Sequence, residues 1–213
     1  MSRPALSHMR KDRRTAAVRA LACVAALGAL ASGGVAAADS AAATRTMAVS
    51  GSTPEICALQ PGAVQTGSLV NMTGLDGDTL RVAQFADPRT LAVRAADATL
   101  SISAVCNFPH KVRVQSENNG MWPGDGSQKL DANGFTSAVP YRARVTWNGA
   151  SNTLETDARV RHQVEDELSV NSPAVGNVEL HVEIAPGASN SQANAPLLAG
   201  TYTDTLRIFL EPL

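Results

Sequence analysis

The sequence has few aromatic residues, almost no net charge and no long apolar run in its main part. Aromatic residues make up 4% of the 213 residues, and the formal net charge is −1. A near-neutral chain lacks the basic excess that nucleic acids and anionic membrane surfaces require, so we expect neither as a partner. Apolar residues make up 44% of the chain, which is enough for the core of one domain preceded by a leader.

The one apolar run of note lies near the N-terminus, from Ala20 to Ala31. It is too short to cross a bilayer, which takes about 20 residues. A basic segment ending at Arg19 precedes it, and Ala36-Ala37-Ala38 follows it. This order is typical of a secretory signal peptide. We therefore expect residues 1–38 to be removed and the mature chain to be exported. We expect no stable membrane anchor.

Two other kinds of leader are weighed against this interpretation. Arg13-Arg14 suggests a twin-arginine export signal, but the residues that follow do not continue that motif. Cys23 suggests a lipidated cysteine, but only a short stretch interrupted by Arg19 precedes it. A cleavable signal peptide fits both segments better.

Cysteine is scarce, and the mature chain keeps two, Cys57 and Cys106. An even pair in an exported chain indicates a disulfide, because oxidising compartments form and keep such bonds. A disulfide between them would close the loop of residues 58–105, and a crosslink across a loop of that length contributes on the order of 4 kcal/mol to stability. A metal site is the alternative, but the sequence has no CxxC and no histidine at ligand spacing from the cysteines, so we expect no metal and no cofactor.

A sustained helical period is also missing, whereas period-2 alternation recurs along the mature chain and predicts strands with one buried face. Glycine turns such as Asp76-Gly77, Asn119-Gly120, Asp125-Gly126 and Asn148-Gly149 separate the strands. Together these features predict an all-β fold, a β-sandwich over residues 53–213 with one disulfide. The predicted strands are 80–85, 100–106, 111–115, 141–147, 178–184 and 201–210.

The two ends of the mature chain predict an incomplete sandwich. Residues 39–52 are rich in Ala, Ser and Thr and are expected to form an extended arm. The strand 201–210 places Leu206, Ile208 and Leu210 on one face, and the sequence stops at Leu213. An immunoglobulin-like sandwich continues from such a strand into a last, edge-closing one. We therefore expect the strand at 206–210 to border an open groove.

Residues that could do chemistry are few, and no catalytic residue is predicted. His110 is expected to be a solvated residue at a strand edge, and His181 to point to solvent. Asp76-Gly77-Asp78 is expected to be a turn, since the other ligands of a calcium loop are missing. Asn71-Met72-Thr73 matches a glycosylation acceptor, and the acidic run Glu165-Asp166-Glu167 is expected to be solvated. Trp122 either folds over the sandwich or forms an exposed contact.

Several segments together resemble subunits of chaperone–usher pili, especially the spore coat protein U domain family of the archaic type. The resemblance covers residues 53–213 as well as the signal peptide. Its most specific part is the glycine-x-tyrosine-x-aspartate-threonine strand near the C-terminus. The segments that carry it are Ile56-Cys57, the strand 101–107, the strand 140–147 that begins Pro140-Tyr141, and the ending 199–208.

The resemblance implies a structural role and not an enzymatic one. It implies an immunoglobulin-like sandwich without its last strand, assembled by donor-strand exchange into a surface fibre that serves adhesion or biofilm formation. The implied partners are a periplasmic chaperone, an outer-membrane usher and neighbouring subunits, with transit through the periplasm to the cell surface.

The sequence offers candidate residues for both the donor strand and the acceptor groove. Met47 and Val49 are the candidate donor residues of the arm, but Arg45 lies on the same face. Leu206, Ile208 and Leu210 are the candidate groove residues. A free-standing exported β-sandwich that acts as a binding module, with a complete fold, is the alternative function.

Overall fold

The computed structural model describes residues 44–60, 64–124 and 133–213. The predicted signal peptide, Cys23 and the Asp125-Gly126 turn lie outside the described residues. The chain divides into two units, Met1–Ser50 and Gly51–Leu213. In the first, residues 44–50 have no regular secondary structure, and every strand of the described residues lies in the second.

The described residues form strands and turns and contain no helix, so the predicted all-β class is confirmed. Alternating burial of side chains accompanies most of the long strands, as half-buried sheets require. The strands are β1 Cys57–Leu59, β2 Gln65–Val70, β3 Met72–Asp76, β4 Thr79–Val82, β5 Ala96–Cys106, β6 His110–Ser116, β7 Trp122–Pro123, β8 Arg142–Trp147, β9 Ala150–Glu155, β10 Val164–Val170, β11 Ala174–Ile184, β12 Tyr202–Thr203 and β13 Leu206–Pro212.

Two antiparallel sheets form the sandwich. The larger has the order β1-β5-β11-β8-β9, and β2 pairs with the part of β5 that β1 leaves free. The smaller has the order β10-β6-β13. The core lies between them and contains side chains of both sheets. Two short ribbons, β3-β4 and β7-β12, complete the described strands.

The predicted core faces are confirmed on the central strands. Val112 and Val114 of β6 are 0% and 1% exposed. Val178 and Leu180 of β11 are buried as well. The face that begins at Tyr141 and continues along β8 is buried throughout, and its members are Tyr141, Ala143, Val145 and Trp147.

The disulfide between Cys57 and Cys106 is confirmed. The two cysteines are direct partners in the β1–β5 register, and Cys106 is buried. β1 pairs over only three residues. The covalent bond therefore holds a very short edge strand on the larger sheet.

Two predicted strands differ from the observed ones. The single strand expected over 201–210 is broken at Asp204 and Thr205, because the side chain of Asp204 binds backbone and side-chain donors there. As a result β12 pairs with β7, and β13 pairs with β6. The strand expected over 80–85 ends at Val82, beyond which the chain bends to join Gln84 to Asn71.

Candidate functional site: an open groove at the sandwich edge

An open groove of about 650 Å³ lies between the edges of the two sheets. Its apolar floor comes from β5 and β11, which contribute Leu100, Ile102, Leu180, Val182 and Ile184. Leu59 at the end of β1 lies on one side, and Leu206 and Ile208 of β13 lie on the other. The groove is thus a gap where the core of the sandwich reaches the surface.

β13 is the strand that leaves this gap open. Within the described residues it has one hydrogen-bonded neighbour, β6, and its other edge borders the groove. Ile208 pairs in register with Val114, and Leu210 pairs with Val112. The two valines are fully buried, whereas the β13 partners that share their face are only half-buried. The difference shows that the inner face of β13 lacks a covering layer on its free side.

The structure therefore brings two of the three predicted groove residues together in the groove lining. Leu206 and Ile208 line it, and Leu210 continues the same face beyond the lining. All three are packed against the core while remaining half-exposed.

Asp204 fixes the start of β13 and lies at one end of the groove. Its Oδ2 accepts hydrogen bonds from Ser116 Oγ at 2.5 Å and from the Tyr141 hydroxyl at 2.7 Å. Its Oδ1 accepts from the backbone N–H and the side-chain amide of Asn118, both at 3.0 Å, and from the Thr205 N–H at 2.8 Å. The carboxylate therefore ties β13 to the end of β6 and to the residue before β8.

The polar corner formed by Asp204 and its donors Ser116, Asn118 and Tyr141 is shielded from solvent at the Tyr141 hydroxyl. Burial, and next the negative charge of Asp204, raise the pKa of the Tyr141 hydroxyl far above its ordinary value. The phenol therefore stays protonated and acts as a donor to Asp204 at any physiological pH. Sequence reasoning missed this corner. In the sequence, the corner is marked only by Asp204-Thr205, a polar pair inside the otherwise alternating segment 201–210.

The outer face of the smaller sheet carries a network of charges across all three strands. Lys111 Nζ of β6 lies 2.7 Å from Glu167 of β10 and 3.6 Å from Glu211 of β13. Arg113, also on β6, pairs with Glu165 at 3.1 Å and with Glu211. The Arg113 guanidinium also lies 4.1 Å from the centre of the Phe209 ring. Each cation on the middle strand thus joins both neighbours.

This network corrects the view of Glu165-Asp166-Glu167 as a merely solvated acidic run. The hydrogen bond from Gln115, and next that from Arg113, lower the pKa of Glu165. Hydrogen bonding from Arg113 lowers the pKa of Glu211. Both carboxylates are therefore held in their charged form by partners on β6.

The structure corrects the expectation for His110 but does not contradict the one for His181. His110 is 0% exposed and lies against Trp147 at 5.0 Å between ring centres, because β6 begins inside the core. His181 is half-buried, and its Nε2 lies 3.1 Å from Asp97 Oδ2 on the neighbouring strand. Neither ring lies on the groove.

Trp122 folds into the protein, as one of the two sequence interpretations required. It is 0% exposed, and its Nε1 donates to the Asn118 carbonyl at 2.6 Å. Asn71 of the glycosylation pattern is also engaged. Its amide donates to the carbonyls of Gln84 and Ala95, and its oxygen accepts from the Gln84 N–H. The side-chain nitrogen of Asn71, to which a sugar would be attached, is thus engaged by two backbone carbonyls in the folded protein.

The candidate donor residues lie in the described part of the first unit. Met47 is 80% exposed and Val49 is 95% exposed. The Asp76-Gly77-Asp78 segment forms the tight turn between β3 and β4 that its sequence predicts, with Gly77 at φ 61°.

Among the described residues, no group of three or more His, Cys, Asp or Glu side chains is placed to hold a metal ion. That part of the chain also contains no helix that is long and apolar enough to cross a membrane. Comparison with models of known protein families and with curated protein sequences finds no match.

Proposed function

We propose that this protein is a structural subunit of a surface fibre, assembled by donor-strand exchange through a chaperone–usher pathway and serving adhesion or biofilm formation. The observation that carries the proposal is the open apolar groove beside the free edge of β13. An extended segment placed there would pair its backbone with β13 and insert alternate side chains between the sheets.

The occupant to which we commit is the arm of a neighbouring copy, residues 39–52, after a periplasmic chaperone has held the groove open during transit. The groove has an open volume of about 650 Å³ and a largely apolar lining, which gives room for the alternate side chains of an extended strand. An exposed strand edge is also a site of uncontrolled pairing, which a donor strand would remove. Covering the half-exposed Leu206, Ile208 and Leu210 would add apolar burial to these backbone bonds.

A strand supplied within the same molecule tests the proposal. We expect fusion of a short alternating valine–threonine strand after Leu213, through a flexible linker, to make the mature protein monomeric. The melting temperature should rise by roughly 10 °C or more, because several backbone hydrogen bonds and apolar contacts form at once. The matched control carries the same linker and a strand in which every valine is replaced by aspartate.

Light scattering and thermal unfolding monitored by circular dichroism give the two measurements. Without a graft, the mature protein should form oligomers or aggregate. A stable monomer that gains nothing from the valine–threonine strand would contradict the proposal. The sandwich would then be complete as it stands, and a free-standing binding module would be the better account, since the groove has the size of a small-ligand pocket.

A further inference from the structure

The β3–β4 hairpin forms an outer wall of the groove. Met72, Leu75, Leu80 and Val82 of this hairpin line it and pack against the core. The hairpin is hydrogen-bonded to neither main sheet in the described part of the chain, and its register is interrupted between Thr73 and Asp76. A two-stranded ribbon is only marginally stable alone, so its order depends on packing over the groove. An occupant of the groove would therefore contact the hairpin as well as β13.

The tip of this wall is acidic. Asp78 is exposed, follows the turn at Gly77 and lines the groove. No hydrogen bond or ion pair of Asp78 is found among the described residues. The other carboxylate of the groove, Asp204, already has its own donors from Ser116, Asn118, Tyr141 and Thr205. The groove thus presents one uncompensated negative charge beside an apolar surface.

The arm carries the complementary pattern. In an extended segment, Arg45, Met47 and Val49 lie on one face, because side chains alternate with period 2. Two apolar side chains next to one cation match an apolar groove next to one free carboxylate. A long arginine side chain can reach the groove rim while its stem stays on apolar surface.

We infer that Asp78 selects the occupant of the groove by pairing with Arg45 of a second copy of this chain, while Met47 and Val49 of that copy enter the apolar lining. The inference rests on the proposed function, since it names the partner of the same groove. It also gives Arg45, the residue that breaks the apolar alternation of the arm, a defined role. Charge pairs at a rim contribute mainly to specificity and to the rate of association, and salt weakens them.

A charge-swap cycle tests the pairing. The probe is a fluorescent synthetic peptide of residues 39–52, added in excess to the mature protein so that it competes with the arms of neighbouring copies, and followed by anisotropy. We expect Asp78→Lys in the protein, or Arg45→Glu in the peptide, to weaken binding by about five- to tenfold at low ionic strength. Combining both changes should restore most of the affinity. Glu179→Lys is the matched control, since Glu179 is exposed on the outer face of the larger sheet and does not line the groove.

The outcomes separate this inference from the proposed function. If Asp78→Lys strengthens binding of the Arg45→Glu peptide, its weaker binding of the wild-type peptide does not come from misfolding. Raised salt should shrink every one of these differences. Equal losses for both peptides in Asp78→Lys would overturn the pairing. A wild-type protein that ignores the peptide but is stabilised by the fused valine–threonine strand would overturn the choice of occupant and leave the strand-exchange proposal standing. Failure of both the peptide and the fused strand would remove the proposed function itself.

Discussion

Asp204 decides where the last described strand begins. Its two oxygens accept hydrogen bonds from four residues that belong to three separate segments of the chain. Without these bonds, nothing in the alternation of residues 201–210 would interrupt the strand. With them, β12 and β13 pair with different neighbours, and the inner face of β13 turns toward the groove. One half-buried carboxylate therefore shapes the edge on which the proposed function depends.

We expect Asp204→Ala to lower the free energy of unfolding by about 1–3 kcal/mol, because several donors of a partly buried corner lose their acceptor. Urea unfolding of the strand-fused protein, which avoids oligomers, measures this change. Asp78→Ala is the control, and it should change stability by less than about 0.5 kcal/mol because that side chain is exposed. Equal effects of the two substitutions would contradict the role given to Asp204.

At the scale of strands, the smaller sheet joins its members by charge as well as by backbone pairing. β13 has a single hydrogen-bonded neighbour in the described chain, and the pairs of Glu211 with Lys111 and Arg113 add side-chain links to that neighbour. Individual exposed ion pairs contribute little, but a network on adjacent strands contributes more. The edge strand is therefore held in register while its other edge stays free.

Acid should weaken this sheet. The pKa values of Glu165 and Glu211 are lowered in the folded protein, so their contribution to stability is fully present above the ordinary glutamate pKa. That contribution is lost as the pH falls below about 4.3 and through the lowered values. We expect the melting temperature to drop over this range in wild type. The drop should be smaller in Glu165→Gln/Glu211→Gln, and an identical pH profile for the two proteins would contradict the network's role.

The strands show which structural features the sequence could predict. Alternation predicted the core faces of β6, β8 and β11, because each of these strands has one buried and one wet face. It failed at His110, which begins β6 inside the core and packs against Trp147. A polar side chain at the start of a strand gives no sign in the sequence that it is buried. Alternation also failed at Asp204, where tertiary hydrogen bonds override a regular pattern. Neither contact is local in sequence.

For the whole molecule, the sequence predicted the all-β sandwich and the disulfide, but it could not predict the hairpin wall of the groove. The segment 80–85 looked like an ordinary strand, and only the fold shows that β4 belongs to a separate hairpin over the gap. The hairpin depends on contacts between residues that are far apart in the chain. The groove is therefore a property of the assembled fold, lined by β13, the end of β1 and the β3–β4 hairpin as well as by the central strands.

The central claim is that a strand from another copy fills the groove in the assembled fibre. A photo-crosslinking residue in place of Ile208, on the groove lining, tests it directly when the protein is made in its native host cells. The control places the same residue at Glu155, which is exposed on β9 and does not line this groove. We expect irradiation to give a ladder of crosslinked subunits for the Ile208 position, with peptides of the arm 39–52 in the linked product, and no ladder for the Glu155 position. A monomer band alone at both positions, or a ladder of equal strength at both, would contradict strand exchange at this groove.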